Sequence, residues 1–372
     1  MATIALPLRR AGLSGLGTTV PLVIGVAGVF LSWFGAAWDV SWHRVVGRDT
    51  FWSVPHLFLY GGVILWGVAA LIATVTTMAG RLVRGREMHI GPFRAELGLA
   101  LVGLGALTVI LSAPLDDYWH RTFGRDVDIW SPPHVAGVVG STVAFLGWSS
   151  AFAPGTFGIP DWVRRVLRAV MLANVCGVLV FGMNFYYITA TTREAFFYPL
   201  LVALLIPAAL AAGATLIGGT WGATIVAATY TITALATYLV LDGSGWLAPA
   251  FPPLVVAGAV AIDVLRARGR PWSHPLVLGL AFSTVFVAAE LVRVVLFPAP
   301  APTGLASGGP DPRASTLFFQ YYAQTVARPW LSIWPILAAV LGGPLAAASW
   351  LVGRRLGALL RDDLGAEALA HS

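Results

Sequence analysis

The sequence is poor in charged residues, lysine and cysteine. Charged residues occupy 11% of its 372 positions, whereas soluble proteins carry roughly 25%, and this difference excludes a soluble domain. All 23 basic residues are arginine, which we attribute to genome composition rather than to function. The single cysteine, Cys176, excludes an intramolecular disulfide and a cysteine-rich metal site.

Motifs of common soluble enzymes are also missing. No G-x-G-x-x-G element, P-loop, H-E-x-x-H or G-x-S-x-G stands in the context that such sites require. The net charge of +6 comes mainly from arginines between apolar runs. We therefore do not infer nucleic-acid binding from it.

Long apolar runs make up most of the chain. Hydrophobic residues account for 58% of the sequence and the mean hydropathy is +0.79. Runs of about 20 apolar residues recur, the length that crosses a hydrocarbon core as a helix. The sequence thus predicts an all-α, polytopic integral membrane protein with about ten transmembrane helices in the lipid bilayer. The predicted spans are 19–38, 55–79, 96–115, 133–153, 167–187, 197–217, 222–241, 252–267, 275–297 and 329–351.

The distribution of arginine predicts the orientation in the cell membrane. If both termini are cytoplasmic, that side holds 15 arginines and the outer loops hold 7, as the positive-inside rule expects. The loop 80–95 contributes four of the cytoplasmic arginines. The chain then divides into residues 1–153, with paired helices described below, residues 154–351, with six further spans, and a cytoplasmic tail, 352–372.

One segment occurs twice in the first part of the chain. Residues 39–56 read DVSWHRVVGRDTFWSVPH and residues 116–134 read DDYWHRTFGRDVDIWSPPH. With a one-residue gap, ten positions from tryptophan to the last histidine are identical, and an aspartate four residues before the first histidine makes eleven. Four of the seven histidines lie in these two copies. We infer that a helix pair is duplicated and predict a four-helix bundle whose two copies face each other near the outer surface.

The repeated residue types are those that bind metal ions. An aspartate and a histidine at i and i+4 share a helix face, and the second histidine returns at the start of the next span. Two imidazoles and a carboxylate per copy suit copper, zinc or non-haem iron. The candidate ligands are Asp39, His43, His56, Asp116, His120 and His134. The candidate supporting groups that would orient the histidines are Arg48, Asp49, Arg125 and Asp126.

The D-x3-H-x12-H arrangement of Asp39, His43 and His56 resembles the metal-binding motif in the C subunit of copper membrane monooxygenases, the particulate methane and ammonia monooxygenases. Asp116, His120 and His134 match it with one extra residue. The resemblance implies a copper site within the membrane, oxygen-dependent oxidation of a small apolar substrate and other membrane subunits as partners. The chain differs from that family in containing the motif twice.

Two other functions fit the same residues. The repeated clusters could form the outer vestibule of a transporter or channel for a metal ion, a proton or an anion. Alternatively, His43 and His120 could ligate one haem iron from opposite sides for electron transfer. Glu290 and Arg293 lie at i and i+3 inside a span, where they form either a functional intramembrane pair or a structural one.

Overall fold

Helices dominate the computed structural model, which describes residues 10–46, 50–79, 87–90, 93–123, 131–152, 157–183, 195–246, 252–296 and 328–361. The helices are α1 (Arg10–Val45), α2 (Val54–Met78), α3 (Leu97–Phe123), α4 (Pro132–Ala151), α5 (Asp161–Gly182), α6 (Phe197–Ile217), α7 (Gly222–Gly243), α8 (Val255–Ala267), α9 (Pro275–Leu296) and α10 (Trp334–Leu359). Strands β1 (Glu87–Ile90) and β2 (Phe93–Glu96) separate α2 from α3. Every predicted span thus coincides with a helix.

Eight of these helices, within the described residues, are long and apolar enough to cross a membrane. This finding supports the prediction of a multi-pass membrane protein. The helices outside that set are α4 and α8. The 13 residues of α8 extend about 20 Å, which is less than the hydrocarbon thickness of about 30 Å, so this helix by itself does not span the full thickness.

Apolar side chains face outward on the long helices. Leu71 in α2, Leu111 in α3 and Val352 in α10 are each at least 60% exposed. Such surfaces are unfavourable in water but match lipid chains, provided that the backbone polar groups are satisfied inside helices. The exposed apolar faces therefore agree with a lipid environment.

The helix pairs α1–α2 and α3–α4 are antiparallel and cross at glycines. A Cβ added to Gly28 would lie 2.7 Å from the Gly62 carbonyl oxygen, and one added to Gly105 would lie 2.4 Å from the Gly140 carbonyl oxygen. Small residues allow helices to approach this closely in membranes. Gly105 follows Gly28 by 77 positions and Gly140 follows Gly62 by 78, the offsets that also relate the two histidine motifs.

Large aromatic side chains join the two pairs to each other and to the following helices. The Trp148 ring of α4 lies against Gly25 of α1, and the rings of Trp66 and Phe145 are 5.0 Å apart between centroids. Trp33 of α1 packs on α5 at Gly177. Its Nε1 also donates a hydrogen bond to Thr237 Oγ1 in α7, at 3.1 Å.

The segment predicted as the loop 80–95 contains the antiparallel hairpin of β1 and β2, in which Glu87 pairs with Glu96. The Glu96 carboxylate accepts the backbone N–H groups of Gly98 and Leu99, each at 2.8 Å. An acidic side chain at this position satisfies donors that a helix leaves open at its N-terminus. The hairpin therefore fixes the start of α3.

Candidate metal centre

The candidate ligands of both copies lie at one end of the helix bundle. Each copy places its aspartate near the C-terminus of one helix, Asp39 in α1 and Asp116 in α3. Each places its last histidine third in the next helix, His56 in α2 and His134 in α4. Prolines in the first turns of α2 and α4 suit a helix start because the first N–H groups need no intrahelical acceptor. The antiparallel pairing then brings each aspartate beside a histidine.

In the second copy, Asp116 lies between two imidazoles. Its Oδ2 is 3.3 Å from His120 Nε2, and its Oδ1 is 3.4 Å from His134 Nε2. One ligand atom of each residue lies within 4.8 Å of the others. Ligands about 2.0–2.2 Å from a tetrahedral metal are separated by roughly 3.3–3.6 Å. The two Asp–His distances match this spacing, and the three residues together could hold a metal ion.

The first copy repeats the central contact of the second. Asp39 Oδ1 lies 3.4 Å from His56 Nε2, the same separation as between Asp116 and His134. His56 Nδ1 is 3.1 Å from the Thr50 carbonyl oxygen. Because a carbonyl oxygen can only accept, this hydrogen bond requires the proton on Nδ1, as in histidines that bind metals through the other nitrogen.

This tautomer has a consequence for the contact between His56 and Asp39. In the neutral imidazole, Nε2 then presents a lone pair to a carboxylate oxygen at 3.4 Å. Two acceptors face each other stably only when a cation lies between or beside them. A proton on either group or a metal ion would make this contact favourable.

Two cavities meet at these residues. The first, which we call the chamber, has a volume of about 140 Å³ and lies between both copies, where Asp39, His56, Asp116 and His134 line it together with apolar side chains. The second, the vestibule, has a volume of about 380 Å³ and is lined by His56, Asp116, His120 and Arg121.

His56 and Asp116 line both cavities, so they form the boundary between the chamber and the vestibule. They come from different copies of the repeat, which places the two motifs around one space. The chamber side is mostly apolar, with Trp33, Trp66 and Phe145 among its walls. The vestibule side contains the Asp117–Arg121 ion pair, at 2.7 Å. The candidate ligands thus separate an apolar space from a charged one.

Some predicted site residues lie outside this description. The side chain of His43 is outside the described part of the structure, although its backbone forms part of the last turns of α1. Arg48, Asp49, Arg125 and Asp126 are also outside the described residues. Their predicted role in orienting the histidines therefore stays a prediction.

Two contacts at the site were not predicted from the sequence. The Tyr60 ring lies 5.3 Å from the His56 ring between centroids, and the two residues are one helical turn apart, a spacing that the sequence does display. The contact at Thr50 is made by its backbone carbonyl oxygen, so the residue type at this position does not predict it. In the second copy, Val138 stands where the offset would place a tyrosine, so the two histidines have different neighbours.

Comparison with protein-family models, with curated proteins and with solved structures gives no match to this chain. The functional interpretation therefore depends on the residues and the geometry given above.

The predicted intramembrane pair forms within α9. Arg293 donates two hydrogen bonds to Glu290 Oε2, from Nε at 2.9 Å and from Nη2 at 2.7 Å. The other carboxylate oxygen, Oε1, accepts the backbone N–H of Leu254 at 2.9 Å, at the start of α8. Glu290 therefore links α9 to the N-terminus of the short helix α8.

Proposed function

We propose that this membrane protein binds a transition-metal ion at Asp116, His120 and His134, and that the ion is copper. The observation that supports this proposal is the convergence of a carboxylate and two imidazole nitrogens within 4.8 Å. Nitrogen and oxygen donors of this kind suit copper, zinc or non-haem iron. The preference for copper comes from the resemblance of the motif to copper membrane monooxygenases.

The residues would act in defined ways around the ion. Asp116 and His134 would hold it at the chamber, and His120 would approach it from the vestibule. Asp39 and His56, across the same chamber, would hold either a second ion or a proton. A bound copper ion would supply one-electron redox chemistry and oxygen activation, so that the protein would oxidise a small apolar substrate.

The size and lining of the chamber support a small apolar substrate. Its volume of about 140 Å³ is close to that of an engineered apolar cavity of roughly 150 Å³ that binds benzene. Trp33, Trp66 and Phe145 would exclude water from it. Reactants of this class would enter from the lipid, while the vestibule would admit polar species.

We also propose how the helices are duplicated and oriented in the membrane. The repeated glycine crossings and the equal Asp–His separations support a duplicated helix pair in residues 1–153, with a pseudo-twofold axis along the membrane normal. The 20 residues of α4 extend about 30 Å, enough for a further crossing beside α3. Both termini would be cytoplasmic, with arginine concentrated at the bundle end opposite the metal centre. This placement needs an even number of crossings, so α8, which begins beside Glu290 near the C-terminus of α9, would belong to a tenth crossing.

Metal analysis of the full-length protein purified in lipid nanodiscs tests this proposal. We expect at least one tightly bound copper, zinc or iron ion per chain. Asp116→Asn and His134→Ala should remove it, whereas His274→Ala, a matched control at an exposed histidine outside both cavities, should retain it. Copper(II) ligated by imidazole would also give nitrogen hyperfine structure in its EPR spectrum.

The proposed oxidation of a substrate is tested separately from metal binding. Protein loaded with copper should consume oxygen when a reductant and a small alkane are supplied, and the Asp116→Asn variant should not. A wild-type protein that folds normally with less than one tightly bound ion would contradict the metal proposal. The clusters would then serve as a proton-bearing vestibule of the kind that a transporter uses.

A further inference from the structure

A separate, larger cavity lies at the end of the molecule opposite the metal centre. Ser150, near the C-terminus of α4, donates a hydrogen bond to the Leu360 carbonyl oxygen at 3.1 Å, whereas His134 stands at the start of the same helix. The last turns of α10 therefore lie at the far end of the bundle. There an open cleft of about 1190 Å³ is bounded by α6, α8, α9 and α10. We call it the arginine cleft.

Basic side chains dominate the arginine cleft. Its lining includes Arg266, Arg270, Arg354, Arg361 and His274. No aspartate or glutamate is present among the described residues that line it. The Asp263 carboxylate next to Arg266 is completely buried and is hydrogen-bonded to Arg266 and to the backbone N–H of Thr224. Asp263 pairs with Arg266 alone among these arginines, so the described lining of the cleft has an excess of positive charge.

The position of Arg266 is fixed before any ligand arrives. Its Nη1 is 2.7 Å from Asp263 Oδ1, and its guanidinium carbon lies 5.7 Å from the centroid of the Trp350 ring. A guanidinium group held against an aromatic face loses little conformational freedom when it binds an anion. Arg270 and Arg354 are exposed and extend the positive surface outward.

The backbone adds to the attraction for anions. The N-terminus of α9 lies at the cleft, where Ser273, His274 and Pro275 line the wall, and the first turn of this helix contains no acidic residue. A helix N-terminus has a partial positive charge and attracts phosphate groups. The helix N-terminus, whose Leu276 N–H donates to His274 Nδ1 at 3.3 Å, and the arginines thus border the same cleft.

Apolar side chains next to the cleft continue toward the lipid. Trp272, Leu276 and Leu280 follow one another along the start of α9 and are 48%, 42% and 38% exposed. An exposed tryptophan beside arginines is typical of the membrane interface. A ligand with a phosphate group in the cleft could therefore extend acyl chains along this face.

We infer that the arginine cleft binds a phosphate group, either that of an anionic phospholipid headgroup or that of a soluble phosphate compound. Basic pockets between transmembrane helices on the cytoplasmic side bind such headgroups. This inference is independent of the proposed metal centre.

The test uses the full-length chain in phosphatidylcholine nanodiscs doped with phosphatidylglycerol. Native mass spectrometry counts the phosphatidylglycerol molecules retained after release from the disc. The variant Arg270→Gln/Arg354→Gln removes two charges from the cleft. The control Arg268→Gln/Arg355→Gln removes two exposed arginines on the same elements that do not line the cleft.

We expect the cleft variant to lose roughly 30-fold in affinity for phosphatidylglycerol, the effect of two arginines near a membrane surface, while the control retains the wild-type affinity. Competition by inorganic phosphate in a second arm would indicate a soluble phosphate compound, and its failure to compete would indicate a lipid headgroup. Equal affinity in the cleft variant and the control, or no retention of either ligand by the wild type, would overturn the inference. Unchanged thermal stability of both variants verifies that they fold.

Discussion

Charged side chains are buried in both halves of the molecule, but their partners differ. In helices α5–α10, each such contact joins a donor to an acceptor. Arg168 donates to the carbonyl oxygens of Ser149 and Leu216. Glu290 accepts from Arg293 and from the backbone N–H of Leu254. These groups satisfy one another, and the chain gains a fixed packing of helices from them.

In helices α1–α4, the buried contacts join carboxylates to imidazoles. Asp39 faces His56, and Asp116 faces both His120 and His134. An imidazole nitrogen donates when it holds a proton and presents a lone pair when it does not, so each of these contacts can be a hydrogen bond or a pair of metal ligands. Cavities also lie beside them. The comparison teaches that burial of charge alone does not identify a site, whereas buried carboxylates and imidazoles that together line a cavity are candidate ligands.

The largest expected effect on stability comes from breaking a matched ion pair in the C-terminal half. Glu290→Ala leaves the buried Arg293 guanidinium without its carboxylate and the Leu254 N–H without its acceptor. We expect a loss of about 3–5 kcal/mol in the free energy of unfolding, measured by denaturant titration in micelles. The double variant Glu290→Leu/Arg293→Leu should recover most of it. The metal content of the folded fraction should not change, and a loss of metal would show that the two halves are coupled.

A substitution in the candidate metal centre should instead lower metal affinity and leave the stability of the metal-free protein unchanged. Asp116→Asn should lower metal affinity by at least about 100-fold, since changes to supporting groups alone cost about 10–100-fold. The apo forms of wild type and variant should unfold at similar denaturant concentrations. Metal affinity is measured by competition with a chelator.

The variant Asp39→Asn tests whether the first copy of the motif contributes to the metal centre. It should leave the ion at Asp116, His120 and His134 in place, because that triad is complete without the first copy. A complete loss of metal in this variant would instead indicate one shared dinuclear centre.

The glycine crossings test whether the two helix pairs are equivalent. Gly28→Ala and Gly105→Ala each put a methyl group within 3 Å of a facing carbonyl oxygen. Both should cost about 1–3 kcal/mol, as overpacking does. Gly103→Ala is the control, because nothing lies within 4 Å of its added Cβ, and it should stabilise by about 0.5–1 kcal/mol. Clearly unequal losses at Gly28 and Gly105 would contradict the duplication.

The smallest expected effect concerns the hydrogen bond that joins the halves. Thr237→Val removes the acceptor of Trp33 Nε1 and should cost about 1 kcal/mol. Thr229→Val is the control, since that hydroxyl bonds only within its own helix. If metal affinity in the Thr237 variant falls by more than about twofold, the position of Trp33 in the chamber wall contributes to the centre.

Much of the fold was accessible from hydrophobicity and spacing. Apolar runs located the helices to within a few residues at most ends, and the i, i+4 spacing correctly put Asp116 and His120 on one helix. The hairpin at 87–96 was missed because four arginines in a short polar stretch resemble an ordinary loop. The shortness of α8 was also missed, since its apolar pattern continues into Pro252 and Pro253, which precede the helix.

The candidate site was accessible only in part. Repetition of the motif pointed to six candidate ligands, and the glycine pairs at the same offsets could have extended the repeat well beyond it. The carbonyl of Thr50, the boundary between the cavities and the arginine cleft depend on residues far apart in the chain, for which no local pattern exists.

The sequence by itself determined that this chain lies in a membrane and that its first helices repeat an Asp–His–His motif. These properties follow from composition and short-range periodicity. Only the tertiary structure decided that Asp116 lies between two histidines, that His56 and Asp116 border the same two cavities and that Glu290 is used by Arg293 and Leu254. The physical reason is that a contact between distant residues depends on how whole helices cross, and crossing is set by close packing along their full length rather than by the residues that finally meet.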